Sequence, residues 1–218
     1  MNPRPHLGFA LLVFPLLTSI ASVPPPEPGL DADVDSSMRV SRHFAAGLEY
    51  LLVEPPDVPP DAALPMVIHL HGRGDVPTAP GGPFLGLDVP VRLVLPRAPE
   101  RFGDGYAWAP VSAHRGESPP LVAALRDNTQ RLAAAMVEWR RRHPTRGRPV
   151  VTGFSQGGML AFALALHRPE SVSRALPVAG WLPPSLEPRA FDPYAPQAPV
   201  VALHGADDAV LAAGRTRA

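Results

Sequence analysis

Val150-Val151-Thr152-Gly153-Phe154-Ser155-Gln156-Gly157-Gly158-Met159-Leu160 decides how this chain of 218 residues is read. The apolar run at 150–152 has the character of a buried strand. From Gln156 to His167 the chain is apolar nearly all round (Met159, Leu160, Phe162, Leu164, Leu166), which predicts a buried helix. Between them stands Gly-x-Ser-x-Gly, and strand, sharp turn, helix is the context in which that serine becomes an exposed nucleophile. The turn crowds the backbone around Ser155, and Gly153 and Gly157 supply the small flanks it needs, while Gly158 gives the helix room to pass its neighbours. A serine placed there projects from the carboxyl edge of the sheet, beside a helix N-terminus that favours developing negative charge.

Outward from this core, strands and helices alternate. Residues 39–44 and 48–53 read as two strands joined by a turn at Gly47, a hairpin. Met66-Val67-Ile68-His69-Leu70-His71 is a further short strand closed by Gly72; residues 91–95 form another, stopped by Pro96. Residues 175–178 and 200–203 supply the last two. Leu121, Leu125, Leu132, Met136 and Trp139 recur at helical spacing, with Pro119-Pro120 before them and Pro144 after. Arg140, Arg141 and Arg142 close that helix, where cations suit its dipole and a solvated helix end explains them without nucleic acid. Strand–helix alternation predicts an α/β fold, with a mainly parallel sheet and helices on both faces.

Two more segments carry chemistry. His69-Leu70-His71-Gly72-Arg73-Gly74-Asp75 closes a strand with glycines that let the backbone approach a ligand. Acyl transfer to a serine needs two N–H groups aimed at the carbonyl oxygen. Gln156, after the serine, offers one, and Arg73 on this loop offers the other. His69 and His71 are alternatively a metal pair, because alternate strand residues share a face, but no third ligand follows at a recognisable spacing. His69 then reads as a packed strand residue and His71 as one that orients the loop. His204-Gly205-Ala206-Asp207-Asp208 follows the last strand and provides a carboxylate in the chain order serine, then acid. Asp207 and Asp208 compete for that role. Trp108 and Trp181, with Tyr106 and Gly81-Gly82-Pro83-Phe84, are candidates to line an acyl or alcohol pocket.

Composition narrows the rest. With 45% hydrophobic and 18% charged residues the chain reads as globular. It has no cysteine, so disulfides, thiolate nucleophiles and zinc–thiolate sites are excluded. All 20 basic residues are arginine, which excludes a P-loop lysine or a Schiff base. The formal net charge of +0 gives no footprint for nucleic acid. Residues 1–21 read as a signal peptide: Arg4 and His6, an apolar stretch from Leu7 to Leu17, then Ser19-Ile20-Ala21 in the small-x-small pattern. That stretch is short of the about 20 residues a membrane span needs, so the expectation is a secreted or periplasmic protein with no stable membrane insertion. Residues 22–37, rich in Pro and Asp, read as a linker, and 38–218 as the folded domain. Export predicts a mature chain beginning near Ser22, and mass spectrometry of exported material would show the leader missing. Recovery of only the full-length chain from the cytoplasm would refute it.

Together these residues resemble the α/β-hydrolase superfamily, most closely the phospholipase/carboxylesterase branch that includes acyl-protein thioesterases. The resemblance rests on 71–75, 153–158, Val178-Ala179-Gly180-Trp181-Leu182-Pro183 and 204–208, and spans about residues 64 to 208. It implies hydrolysis of a small-molecule carboxylic ester or thioester without cofactor or metal. It implies Ser155 as nucleophile, Arg73 and Gln156 as oxyanion donors, and Asp208 as the acid, three residues after the glycine of the His-Gly pair. With no lid-sized insertion, short soluble esters are expected over long lipids. The family's catalytic histidine stands beyond the acid, after one more helix and strand, yet no histidine follows Asp208 and ten residues remain. The sequence therefore reads as a hydrolase domain incomplete at its C-terminus, lacking its last strand and helices, with 200–203 at an unpaired edge. The competing reading is a non-catalytic binding protein that keeps the pocket without turnover.

Overall fold

The computed structural model describes residues 38–78, 89–188 and 196–208. Residues 1–21 and 22–37, read from the sequence as a signal peptide and a linker, and the glycine-rich stretch at 81–84 lie outside the described residues.

The chain opens with an antiparallel hairpin of β1 (Arg39–Ala45) and β2 (Leu48–Glu54), its register closing at Ala45↔Leu48. Its two-residue turn has Ala46 and Gly47 both at positive φ, 50° and 77°, the twist that suits a tight hairpin. β3 (Met66–Leu70), β4 (Arg92–Pro96), β7 (Val150–Phe154) and β8 (Arg174–Val178) complete a six-stranded sheet in the order β1-β2-β4-β3-β7-β8. β2 runs antiparallel to β4, and β4, β3, β7 and β8 pair in parallel, placing β7 between β3 and β8. β5 (Glu100–Phe102) and β6 (Gly105–Ala107) form a separate small hairpin that the sequence reading passed over. β4 runs through Pro96 instead of stopping before it.

Residues 199–203 differ from expectation in a second way. They are not a continuous strand but join β8 through parallel bridges, Ala175↔Val200 and Val178↔Leu203. Four backbone hydrogen bonds of 2.8–3.0 Å hold them there, among them Ala179 N–H to Leu203 O. Pro199 lacks an N–H and only its carbonyl takes part, accepting from Ala175.

Strand alternation sorts the side chains. Tyr50 and Leu52 of β2, Met66, Ile68 and Leu70 of β3, and Val94 of β4 enter the main core, together with both helices. Leu51, Val53, Val67, Leu93 and Leu95 belong to a smaller apolar cluster. α1 (Pro119–Arg142) and α2 (Gln156–His167) pack on each other, and α2 also lies on β7 and β8, so both described helices cover one face. Pro119 occupies the first turn of α1, where its missing N–H costs nothing, and all five leucine, methionine and tryptophan positions expected to face inward are buried. Arg141 and Arg142 both pair with Glu138 at the exposed end of α1.

At the amino end of the parallel strands stands a buried polar link. Arg92, wholly inaccessible, donates through Nε to Glu54 (2.6 Å), through Nη1 to Pro144 O (2.6 Å) and through Nη2 to Ala62 O (3.2 Å). One side chain thus ties β4 to β2 and to two connecting loops.

Candidate active site

At the carboxyl end of β7 the backbone turns at Ser155, with φ 53° and ψ −114°. A non-glycine residue in this region is strained by about 1–3 kcal/mol and persists only where its surroundings hold it. Three elements do so. The Ser155 N–H donates to Val178 O at the end of β8 (3.0 Å), and Ser155 O accepts from Met159 in α2. From the other side β3 presses on the turn: a Cβ on Gly157 would overlap Leu70 O and lie 2.5 Å from the Leu70 carbonyl carbon. A Cβ on Gly153 would meet the Gly157 carbonyl carbon at 2.5 Å and Leu70 O at 2.8 Å. These glycines are required by close packing between strands, since both have ordinary φ values. Ser155 itself stays partly accessible, and its neighbour Phe154 is half exposed.

The loop after β3 lies directly on this turn. His71 is buried, and its ring is fixed at both nitrogens: Nε2 accepts from Ala98 N–H (3.1 Å), so the proton sits on Nδ1 and is donated to Gly72 O (2.7 Å). Burial holds the imidazole below the ordinary histidine value, outweighing the Gly72 hydrogen bond and the Asp75 charge, so the ring is neutral. Both nitrogens are engaged, which leaves none for a metal. His69, half-buried on β3, is likewise pushed down by burial. Beyond Gly72 the loop is stapled to the small hairpin by Gly74 N–H to Tyr106 O (2.7 Å) and Tyr106 N–H to Asp75 O (2.9 Å).

The backbone N–H groups of Arg73 and Gln156 are therefore carried on two segments that touch each other. Among the described residues neither makes a backbone hydrogen bond outside regular structure. The Gln156 side chain has a task the sequence did not suggest. Its Oε1 accepts from Trp108 N–H (3.0 Å) and Ala109 N–H (3.3 Å), while Nε2 donates to Ala109 O (3.3 Å) and Val111 O (2.9 Å). Asn128 of α1 adds a bond to Trp108 O (2.7 Å). The residue beside the serine thus anchors the loop at 108–111.

Trp108 lies in the core rather than on a pocket wall. It is wholly inaccessible, its indole N–H donates to His71 O (3.0 Å), and its ring packs on His71. Aromatic bulk near the sheet edge suggested a substrate contact; burial makes it a support behind the loop. Trp181 is buried too. Of the two candidate acids, Asp207 is exposed in a turn, whereas Asp208 is half-buried and 3.3 Å from Nε2 of His204. His204 is enclosed, and His114 is exposed on a turn at 113–115. Hydrogen bonds between Leu203, Pro177 and Ala179 bring this acid-bearing loop to the same sheet edge as Ser155.

A sequence profile described as phospholipase/carboxylesterase matches residues 49–216. The chain belongs to the phospholipase/carboxylesterase family. It is 28% identical over 134 residues to acyl-protein thioesterase 1 homolog 2 of Dictyostelium discoideum, covering 58% of this chain and 59% of that protein. The chain thus spans about three-fifths of that relative's length. Among solved structures, esterase PE8 superposes with a TM-score of 0.57 at 21% identity, covering 83% of this chain and 80% of that one. The Bacillus cereus carboxylesterase gives 0.60 at 15%, covering 78% and 76%. These likenesses establish the α/β-hydrolase fold for this member of the phospholipase/carboxylesterase family.

Proposed function

We propose that this chain acts on carboxylic esters or thioesters of small molecules through Ser155. The observation that carries the reading is the strained turn at Ser155, held between β3 and β8 at the head of a buried helix, in a chain of a hydrolase family. In this reading Ser155 Oγ attacks the acyl carbonyl, the ester or thioester bond breaks, the serine proton leaves with the alcohol or thiol, and water then releases the acid from Ser155. The carbonyl oxygen, as it gains charge, is held by the N–H groups of Arg73 and Gln156. Both donors are fixed before substrate arrives, so no reorganisation accompanies the charge development. Asp208, half-buried beside His204, is the acid that would orient an imidazolium.

A second reading has its own support: among the described residues no imidazole is bonded to Ser155. His71 is neutral and engaged at both nitrogens, and the His204 ring is enclosed against Asp208. A protein that binds esters without turnover fits that arrangement. The purified chain, treated with a fluorophosphonate and assayed on p-nitrophenyl acetate beside Ser155→Ala, separates the two. The hydrolase reading expects labelling at Ser155, and expects labelling and hydrolysis to vanish together in Ser155→Ala, a loss of at least about 10³-fold in rate. Ester binding with neither labelling nor turnover supports the binding protein. Labelling that persists in Ser155→Ala removes the serine from the mechanism.

A further inference from the structure

The proposed chemistry uses only the backbone N–H of Arg73, and its side chain is left over. The guanidinium lies over the ring of Phe102 in β5, 3.6 Å from the centroid. A guanidinium held over a ring keeps its terminal N–H groups as the edge that matches a carboxylate. Among the described residues no carboxylate comes within ion-pair distance of it, and its Nε is buried with no hydrogen-bond partner. The terminal nitrogens are not enclosed in this way, so they are the accessible edge of the cation. Four other arginines that bear on this sheet's polar links, Arg39, Arg42, Arg92 and Arg97, each have a carboxylate. Arg73 is placed by a ring instead of an ion pair, and among the described residues no carboxylate pairs with it.

Its position gives that charge a use. Gly72, the preceding residue, packs on the Phe154 ring, and the His71 carbonyl lies against Gly157, so the loop that carries Arg73 touches the turn that bears Ser155. The two bonds between the loop and the small hairpin, at Gly74 and Tyr106, keep Arg73 and Phe102 in register. Phe154 and Phe102, 51% and 42% exposed, flank the loop with apolar surface for the body of a substrate.

We propose that the Arg73 guanidinium, clamped on Phe102, selects esters that carry a carboxylate close to the scissile carbonyl. This rests on the reading of Ser155 as nucleophile only for the outcome of binding, not for binding itself. The substrate class is therefore a monoester of a dicarboxylic acid, or an ester of a hydroxy acid, and not a neutral ester.

Calorimetric titration of the Ser155→Ala chain, which cannot turn over its ligand, tests this. The probes are monophenyl succinate, with its carboxylate on the acyl side, and 4-acetoxybenzoate, with it on the alcohol side, each against its neutral methyl ester. At least one acid should bind about tenfold tighter than its methyl ester, the scale of one charge-assisted hydrogen bond. That preference should fall as salt rises, and should disappear in the Ser155→Ala, Arg73→Gln double variant. Should that variant fail to fold by circular dichroism, Ser155→Ala with Phe102→Leu, which keeps the cation and removes its clamp, should weaken the preference instead. Equal affinity for acid and methyl ester, no detectable binding of either acid, or a preference that survives loss of the Arg73 charge would overturn the proposal. Labelling of Ser155 by a neutral fluorophosphonate is read separately. Labelling without acid preference sinks only this inference, whereas acid preference without labelling sinks only the serine mechanism.

Discussion

Gly157→Ala should abolish fluorophosphonate labelling of Ser155 and lower the melting temperature by roughly 6–12 °C, as a loss of about 3 kcal/mol or more would do in a chain of this size. The added methyl would overlap Leu70 O and press on the His71 carbonyl. Those atoms are backbone in β3 and in the loop after it, so no side chain can swing aside. Overpacking that side-chain movement relieves typically costs 1–3 kcal/mol, and here relief requires parting β3 from the turn. Gly47→Ala is a useful control, because its Cβ meets nothing within 4 Å and only its φ of 77° resists the change. The control should melt within a few degrees of the parent and keep its labelling. A Gly157→Ala protein that melts normally and labels at the parental rate would show that β3 does not confine the turn.

Arg92→Ala is the second large effect, expected to cost about 3–5 kcal/mol because it leaves Glu54 charged and buried without its main partner. Arg39, 2.9 Å from Glu54 and half exposed, compensates in part. Burial pushes the Glu54 carboxyl up, but the hydrogen bonds from Arg92 and Arg39 outweigh it and hold the group below the usual carboxylate range. A depressed carboxylate contributes stability above its unfolded value of 4.5 and loses it as the pH falls through the folded value. The gap between parent and Arg92→Ala should therefore be full at neutral pH and narrow in acid. Removing both charges with Arg92→Leu, Glu54→Leu should cost less than Arg92→Ala alone. Denaturant titrations at pH 7 and pH 3.5 read both effects, and a gap that widens in acid would contradict the assignment.

The parts of this molecule that follow from nearest neighbours along the chain are legible in its sequence. The β1–β2 turn announces itself through Gly47, α2 through its unbroken apolar run, and the turn at Ser155 through the glycines that flank it. What escaped depends on partners distant in sequence. Nothing local to Glu100-Arg101-Phe102 marks a hairpin, because its place is set by Gly74, Asp75 and Tyr106 pairing across the loop. The amide of Gln156 reaches residues 108–111, about 45 positions away, and no pattern near either end records it. Trp108 misled because an aromatic residue near a sheet edge reads the same whether its ring faces solvent or the core. Residues 199–203 are apolar enough for a strand, but only the β8 ladder determines how many of their groups are paired.

The sheet order has a consequence for how the protein is made. β1 and β2 are neighbours in both chain and space, and their hairpin can form while the rest is still open. The turn at Ser155 cannot, for its walls are β3 and β8, and the β3 wall pairs residue 69 with residue 152. Long loops must close before those contacts repay the entropy, which makes such pairings slow. The strained serine conformation accordingly waits on a pairing far apart in the chain, and helix and local hairpin can form without it.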